Sequence, residues 1–279
     1  MLCALLFARR IKCLKLTDMK GNSMKMTSLA IALVSIGVAG SAQAASFVNG
    51  GFENGTTSSW VQGGGQWFSS TIPLPATNTY FSGGANYNLG ASNVLVTSAG
   101  TDSISGISTV RYGDHSVRVN DSVNNYSVSG IRQSVTNYDG TSINFSWAAV
   151  LEASHSATDS DQFRITLTDD TDNTVLANIA YNSATNGALF TQFGSWFGTQ
   201  WIDETIAVTK GHDFTLTLLA ADCPYGGHAG YVYLDGFGTV TGGGGDNGTG
   251  GGTVPEPGSL ALAGLGLLAA LGARRRKSA

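Results

Sequence analysis

Cysteine is scarce in this sequence, and its positions exclude a disulfide-stabilised fold. Only three of the 279 residues are cysteine, and Cys3 and Cys13 lie close to the N-terminus. Because Cys223 is the one cysteine of the main body, residues 45–241, no intramolecular disulfide can form there. The body must therefore depend on its own core. A length of about 200 residues is sufficient for a single sizeable core.

Basic side chains are also scarce, and this excludes one class of partner. Ten of the fifteen Lys and Arg residues lie in the two ends of the chain, and residues 45–257 contain five basic against eighteen acidic side chains, a net charge of −13. Such an acidic surface repels nucleic acids and anionic lipids and attracts divalent cations. The composition therefore excludes nucleic-acid binding.

Long apolar runs are confined to the two ends of the chain. The first run, residues 29–40, has twelve apolar or small residues and is followed by small side chains at Ala42 and Ala44. Twelve residues are too few to span a bilayer as a helix. We therefore predict that residues 1–44 are a signal peptide that signal peptidase cleaves after Ala44, with residues 1–23 an over-extended reading frame.

The second apolar run lies in a C-terminal end that has four parts. These are a glycine-rich linker, a proline-containing motif, the apolar run and four cations, at residues 242–253, Val254-Pro255-Glu256-Pro257, 258–272 and Arg274–Lys277. The run is predicted to enter a membrane with the cations on the cytoplasmic side. Fifteen residues cover only about 22 Å of a bilayer core of about 30 Å, which favours a segment that is held briefly and then cleaved.

This C-terminal end, residues 254–279, resembles the PEP-CTERM sorting signal of Gram-negative bacteria that make exopolysaccharide. The resemblance implies that exosortase, a membrane transpeptidase, processes the protein while it is held in the inner membrane. It also implies release to the cell surface or the extracellular matrix. The alternative is an ordinary tail anchor, and the body faces outward in both cases.

Replacing Pro255 and Pro257 by alanine should leave export intact but stop sorting, because the prolines form the stiff, extended stretch that a processing enzyme can hold. We expect the doubly substituted protein in the inner-membrane fraction, detected by cell fractionation and immunoblotting beside the unaltered protein. Normal release of the substituted protein would show that the tail is only an anchor.

The body shows the two-residue alternation of β-strands, with apolar side chains on one face and polar ones on the other. Turn-forming clusters of Gly, Asp and Asn separate these segments, and no window sustains a 3.6-residue apolar period. The pattern predicts an all-β fold, an antiparallel β-sandwich of the jelly-roll type over residues 45–241. The clearest strands are predicted at Ser116–Val119, Ser142–Trp147, Gln162–Leu167 and Phe214–Leu218.

Four short motifs of the body resemble the galactose-binding-like carbohydrate-binding modules. They are Val48–Glu53, Gly113–Val119, Ile131–Val135 and Tyr231–Phe237. In that family, acids of the first and last strands bind a structural calcium. The resemblance therefore implies a Ca²⁺ site at Glu53 and Asp235, completed by backbone carbonyls such as those of Asn49 or Gly51, since calcium takes six to eight oxygen ligands. A pair of surface acids is the alternative.

Aromatic side chains could provide a binding surface for a glycan, because a pyranose ring stacks on an exposed flat ring. Trp67, Tyr80 and Tyr87 lie in residues 63–93, a stretch rich in glycine and asparagine that reads as loop. Most aromatic residues of a sandwich belong to its core. These three are predicted to be exposed and to bind glycan.

Two other groups of residues invite a catalytic interpretation. Cys223 and His228 lie five residues apart, but a nucleophilic cysteine needs a positioned base and a zinc site needs further ligands. We therefore favour a buried thiol and a histidine bonded to a loop carbonyl. Glu152, close to His155, could serve in glycoside hydrolysis, which needs a second carboxylate that the sequence does not identify.

The sequence as a whole predicts an exported cell-surface or matrix protein that binds polysaccharide or acts as an adhesin, without catalytic residues. Two alternatives remain open. One is a glycan-active hydrolase or lyase on the same fold, and the other is a structural matrix protein without a specific ligand. The identity of the ligand depends on loop side chains, which the fold class does not determine.

Overall fold

A computed structural model describes residues 46–68, 74–153, 156, 160–185 and 187–238. The predicted signal peptide, linker, sorting motif and C-terminal apolar run lie outside these residues. The described part of the chain has three short 3₁₀ helices, Thr77–Tyr80, Leu89–Ala91 and Gly187–Leu189. None of its helices is long and apolar enough to cross a membrane.

The described residues form twelve β-strands. In chain order they are β1 (Val61–Gln66), β2 (Val94–Ser98), β3 (His115–Val119), β4 (Ser127–Val135), β5 (Ser142–Glu152), β6 (Gln162–Asp169), β7 (Thr174–Asn182), β8 (Thr191–Phe193), β9 (Trp196–Gly198), β10 (Ile202–Ala207), β11 (Phe214–Ala221) and β12 (Gly230–Asp235).

The strands pair into two antiparallel sheets. One has five strands in the order β1-β4-β11-β6-β7, and the other has seven, in the order β2-β3-β12-β5-β9-β8 with β10 also paired to β5. The long strand β5 has room for both partners along one edge: β10 pairs with Ser142–Trp147 and β9 with Val150–Glu152. The all-β antiparallel sandwich predicted from the sequence is confirmed.

Alternation places one apolar face of each sheet in a shared core. In β6, residues Phe163, Ile165 and Leu167 are almost fully buried, while the residues between them are partly exposed. Leu216 and Leu218 of β11 belong to the same cluster. Because side chains alternate along a strand, this pattern requires the two inner faces to pack against each other. All four strands predicted with the clearest alternation lie within observed strands.

Both outer faces of the sandwich are covered in part by connecting segments. Trp67, Leu74 and Tyr80, from the connection between β1 and β2, pack on the outside of the five-stranded sheet in a second core with Val128. On the outside of the seven-stranded sheet, residues 99–114 lie over β12.

Two local predictions were wrong. Val48–Glu53, expected as the first strand, is a turn segment apart from one bridge residue, and Glu53 lies in a turn. Gly63 to Gln66, expected as loop, belongs to strand β1. The glycines allow this close packing, since a methyl group at Gly65 would collide with the carbonyl oxygen of Asn86. Glycine here indicates a strand approached closely by another backbone rather than a flexible loop.

Candidate functional site

The fold brings together the two acids predicted to bind calcium. A methyl group at Gly51 would lie 3.8 Å from Asp235 Oδ1 and 4.0 Å from Glu53 Oε1, so both carboxylates converge beside this glycine. The end of β12 carries Asp235, and a hydrogen bond from the Phe237 amide to the Gly50 carbonyl, 3.1 Å long, joins the two segments.

Backbone amides already donate hydrogen bonds to both carboxylates. Asp235 Oδ2 accepts hydrogen bonds from the amides of Arg111 and Tyr112, both 2.9 Å long. Glu53 accepts from the amides of Asp114 and His115, at 3.0 and 3.1 Å. Both acids therefore hold the segment that leads into β3, and a cation would use their remaining lone pairs.

The remaining predicted calcium ligand, Asn49, is engaged elsewhere. Its carbonyl oxygen accepts hydrogen bonds from Trp60 Nε1 and from the Phe52 amide, at 3.0 and 3.3 Å. Its side-chain amide donates to the carbonyl of Thr56 at 2.8 Å. Since a carbonyl oxygen has two lone pairs and both are used here, Asn49 is a poor ligand in this geometry, whereas Gly51 lies beside both acids.

Burial makes the charge of this acid pair unfavourable. Asp235 is fully buried, and burial raises its pKa to about 7 even though three amides lower it, while the nearby Glu53 charge raises it further. Two carboxylates held close without a cation disfavour ionisation of one of them. Either a proton or a cation would relieve this repulsion.

The predicted aromatic surface is wrong at two of its three positions. Trp67 is 1% exposed and Tyr80 is fully buried, and both contribute to the second core. The physical reason is that β4 and β11 present apolar side chains on their outer faces, and these large rings bury that surface. Tyr87 is 36% exposed, so it stays a candidate for contact with a ligand.

Exposed aromatic rings instead gather at one end of the sandwich. We call Phe68, Tyr126 and Tyr225 the loop-end cluster. Phe68 is 49% and Tyr225 is 51% exposed, and the rings of Phe68 and Tyr126 lie 5.3 Å apart. Beside Tyr225, Gly226 lies so close to the Tyr126 ring that a methyl group there would be 2.8 Å from the hydroxyl. Phe68 and Tyr126 therefore form one partly exposed surface, and the loop that carries Tyr225 packs against its edge.

The strand pairing explains why these residues meet. Gln66 at the end of β1 pairs with Ser127 at the start of β4, and Val128 pairs with Ala221 at the end of β11. Phe68, Tyr126 and Tyr225 follow or precede these strand ends in the chain. Strand register thus places three loops that are far apart in the sequence at the same end of the sheet.

A buried carboxylate holds Tyr126 in an unusual conformation. Tyr126 has φ 65°, a left-handed backbone that typically costs a non-glycine residue about 1–3 kcal/mol. Asp222 Oδ2 accepts hydrogen bonds from the amides on both sides of it, Asn125 at 3.2 Å and Ser127 at 2.9 Å. The Ser127 hydroxyl also donates to this oxygen at 2.9 Å.

Asn120 completes the network beneath the loop-end cluster. Its side-chain amide donates to Asp222 Oδ1 at 2.8 Å and to the Gly230 carbonyl at 2.9 Å. Its side-chain oxygen lies 2.7 Å from the Ser127 hydroxyl. Asn120 and Asp222 are fully buried, so the loops that carry the rings are joined by a network out of contact with solvent.

A second buried acid lies near this network. Asp161 is fully buried, its Oδ2 accepts from the Glu152 amide at 2.9 Å, and its Oδ1 accepts from the Ser183 hydroxyl at 2.6 Å. Burial, and to a smaller extent the charge of Asp222, raises the pKa of Asp161 well above its usual range. Burial likewise raises the pKa of Asp222 to about 6.

The residues considered for catalysis from the sequence, where the structure describes them, make contacts that hold the fold together. Cys223 is fully buried, as the favoured interpretation requires, and its amide donates to the His228 carbonyl at 3.1 Å. Glu152 accepts a hydrogen bond from the Ala229 amide at 3.1 Å, which ties the end of β5 to the same loop. His155 lies outside the described residues.

A cluster at the opposite end of the sandwich has ion-pair geometry. His212 Nδ1 lies 2.8 Å from Asp169 Oδ2 and 3.8 Å from Asp172 Oδ2. The hydrogen bond to Asp169 raises the pKa of His212. Burial alone would raise the pKa of Asp169, but hydrogen bonds from His212 and from two amides lower it overall. The pair is therefore arranged as a carboxylate and an imidazolium.

Sequence reasoning missed the loop-end cluster and the acid beneath it. Phe68 directly follows Trp67, which the sequence predicts to bind glycan. The alternation of side chains after β1 turns Trp67 inward and Phe68 outward. Asp222 begins a distinctive segment, Asp222–Tyr231, whose glycines at 226 and 227 have φ 84° and 96°. Those glycines signal a tight loop, but the partners of Asp222 are about 100 positions away in sequence and no local pattern indicates them.

Comparison with known proteins confirms the sorting signal. Residues 253–277 match the family model of the PEP-CTERM protein-sorting motif. The chain therefore carries the sorting signal that its C-terminal end resembles, and this signal is that of exported surface proteins. The sequence has no significant match among curated proteins.

Several solved structures have a similar arrangement of strands. TmCBM61 in complex with β-1,4-galactotriose is 13% identical, with 69% of this chain and 95% of that chain covered and a TM-score of 0.39. Caldicellulosiruptor saccharolyticus CBM27-1 in complex with mannohexaose is 12% identical (67% and 93% covered, TM-score 0.34). The K1 cleaved adhesin domain of Lys-gingipain from Porphyromonas gingivalis is 12% identical (66% and 92% covered, TM-score 0.33). At these TM-scores the likeness bears on neither ligand nor activity.

The buried acids predict that the fold is more stable at pH 5 than at pH 8. Asp161, Asp222 and Asp235 have raised pKa values in the folded state, so the folded protein binds protons that the unfolded chain releases above about pH 4. The free energy of unfolding should therefore fall as pH rises from about 4 to about 7, between the unfolded and the folded pKa values. His212, whose pKa is also raised, contributes in the same direction. For Asp222 alone the loss between pH 5 and pH 8 is about 1.4 kcal/mol, since its folded-state pKa of about 6 lies one unit above pH 5 and one pKa unit is about 1.4 kcal/mol.

Thermal unfolding followed by circular dichroism between pH 4.5 and pH 8.5, in chelator, measures this dependence. Acids with lowered pKa values, such as Asp102 and Asp203, lose their contribution only below about pH 4 and leave this window unaffected. A midpoint that rises with pH over the whole range would contradict the prediction.

Proposed function

We propose that the protein is an exported, non-enzymatic cell-surface or matrix module that binds glycan through the loop-end cluster. Export and sorting by exosortase are supported by the predicted signal peptide and by the PEP-CTERM motif. The observation that carries the binding role is that partly exposed aromatic rings are gathered at one end on loops held by a buried network. Strained backbone that surrounding structure over-determines is typical of binding sites.

The chemistry of the loop-end cluster favours an uncharged glycan. Flat aromatic faces suit the apolar face of a pyranose ring, and the neighbouring Asn124 and Asn125 offer amides for its hydroxyls. Neither Lys nor Arg occurs in residues 67–68, 120–126 or 222–229. An anionic polysaccharide would therefore meet an acidic body without a cation at the site.

Three acids near the loop-end cluster make structural contacts rather than lying open to a substrate. Glycoside hydrolysis needs two accessible carboxyl groups that flank the bond to be cleaved. Asp161 and Asp222 are fully buried and bonded to backbone amides and hydroxyls, and Glu152 accepts an amide hydrogen bond. These contacts give the three acids roles in holding loops.

A glycan array of neutral oligosaccharides, with β-1,4-galactotriose and mannohexaose among the probes, tests the proposal on the secreted form of the protein. We expect binding, and at least about tenfold weaker binding when Phe68 and Tyr225 are both replaced by alanine, since each ring contributes roughly 1 kcal/mol. Val175→Ala is a matched control, because Val175 is 62% exposed on strand β7, away from the cluster.

The outcomes of this experiment separate the alternatives. Tyr87→Ala tests the one sequence-predicted ring that is partly exposed. Equal binding by the control and by the doubly substituted protein would place the glycan elsewhere. Release of reducing sugar from the probes would identify a hydrolase instead, and no binding to any probe would favour a structural matrix protein.

We also propose that calcium binds at Glu53 and Asp235, with Gly51 between them. The convergence of the two carboxylates and the raised pKa of Asp235 support a cation there, since a divalent ion would neutralise a pair that otherwise repels. Bound calcium would fasten the turn that carries Glu53 to the end of β12 and to the segment leading into β3.

Calcium should therefore raise the unfolding midpoint at pH 8 relative to chelator. A ligand that binds only the folded state stabilises it by about 2.7 kcal/mol at a hundredfold excess over Kd. Glu53→Gln should remove most of this difference, while Asp139→Asn, at an exposed acid paired with Lys210, should keep it. An unchanged midpoint on chelation of the unaltered protein would overturn the calcium site and leave the glycan proposal standing.

A further inference from the structure

We propose that Asp222 is the positioning residue of the loop-end cluster and that its ionisation state controls glycan binding there. This inference rests on the proposed function and adds a form of regulation to it. Asp222 makes no hydrogen bond to any of the three rings of the cluster. It acts through the two amides that flank Tyr126.

The hydrogen bonds to Asp222 explain how it positions Tyr126. A left-handed residue needs its neighbouring peptide groups to be held, and Asp222 Oδ2 accepts the amides of Asn125 and Ser127 on either side. Hydrogen bonds to an ionised acceptor are roughly twice as strong as neutral ones. The charged form of Asp222 therefore stabilises the Tyr126 conformation that brings its ring against Phe68 and Gly226.

Protonation of Asp222 has a defined place in this network. The Ser127 hydroxyl lies 2.9 Å from Asp222 Oδ2 and 2.7 Å from Asn120 Oδ1. A proton on Oδ2 can point to the Ser127 oxygen, whose own hydrogen then goes to Asn120. Oδ2 becomes a neutral hydroxyl oxygen and accepts the two amide hydrogens less strongly. Acidification should thus weaken the hold on the amides that flank Tyr126, although the Ser127 amide keeps a second acceptor, Asn125 Oδ1, at 3.0 Å.

The titratable and charged groups around Asp222 favour this proton within the pH range of natural waters. Burial raises the pKa of Asp222 to about 6. Asp161, in the segment before β6, interacts with it electrostatically and carries the same charge, and Glu152 lies beside Asp161 at the end of β5. Arg118 of β3 approaches through the Asn120 carbonyl, to which its Nε donates at 3.1 Å. Cys223 and His228 lie in the loop of Asp222 itself.

This arrangement makes stability and binding change in opposite directions with pH. A proton on Asp222 relieves a buried charge and so stabilises the whole fold. The same proton weakens the hold on one loop, so the loop-end cluster loses its fixed geometry. Glycan binding should therefore be strong at pH 7.5 and weak at pH 5, although the protein unfolds at a higher temperature at pH 5.

Amide hydrogen exchange measured by NMR tests the positioning role without any glycan. Protection of the Asn125 and Ser127 amides, corrected for the intrinsic pH dependence of exchange, should be about tenfold lower at pH 5 than at pH 7.5. Amides of the core strand β6 should be protected at both values. Equal protection of Asn125 and Ser127 at the two pH values would overturn the inference.

Binding of β-1,4-galactotriose and mannohexaose across the same pH range tests the regulation. The unaltered protein should bind about tenfold more weakly at pH 5, and Asp222→Asn should bind weakly at both values, since an amide cannot carry the charge. His212→Gln removes an imidazole at the opposite end of the sandwich and should keep the pH profile. Binding that is equal at both pH values would overturn the inference but not the proposed function. Absence of binding throughout would overturn the proposed function, while hydrogen exchange would still decide the role of Asp222.

Discussion

Buried carboxylates that accept hydrogen bonds from backbone amides hold the loops of this protein onto its sandwich. An acidic body with five basic residues cannot neutralise each buried acid with a salt bridge. Asp222 and Asp235 instead bind amides of segments far away in sequence, and Asp161 binds an amide and a hydroxyl. Burying an acid without a cation is unfavourable unless its lone pairs are satisfied, so each of these acids requires the loop that it holds.

Connecting segments cover part of both sheets through hydrogen bonds to a buried acid on one side and apolar packing on the other. On the outer face of β12, Tyr231 and Tyr233 donate their hydroxyls to Asp102 of the covering segment, each at 2.8 Å. On the five-stranded sheet, Trp67 and Tyr80 bury apolar surface that strands alone would expose. These segments therefore cover part of each outer face. The fold class alone does not decide function, which depends on the site that particular side chains build on it.

Strand positions could be predicted because alternation is a local property of the chain. Phe163, Ile165 and Leu167 alternate with polar residues and point into the core as expected. Glycine was misleading, since Gly63 to Gly65 read as loop and form a strand approached closely by another backbone. Trp67 and Tyr80 were misplaced for a related reason. Residue type indicates that an aromatic ring prefers burial or stacking, but only packing decides which of these a particular ring does.

The candidate sites show the same division between local and distant information. Glu53 and Asp235 were paired through a family resemblance, and the structure brings them together at Gly51, whereas nothing local connects Asp222 with Tyr126. The sequence by itself determined the sorting motif, the acidic balance and the alternating strands, and it predicts the secretion signal, because each of these is a property of adjacent residues. The tertiary structure decided which rings are exposed, which acids are buried and which loops meet, because strand register joins residues about 80 to 90 positions apart.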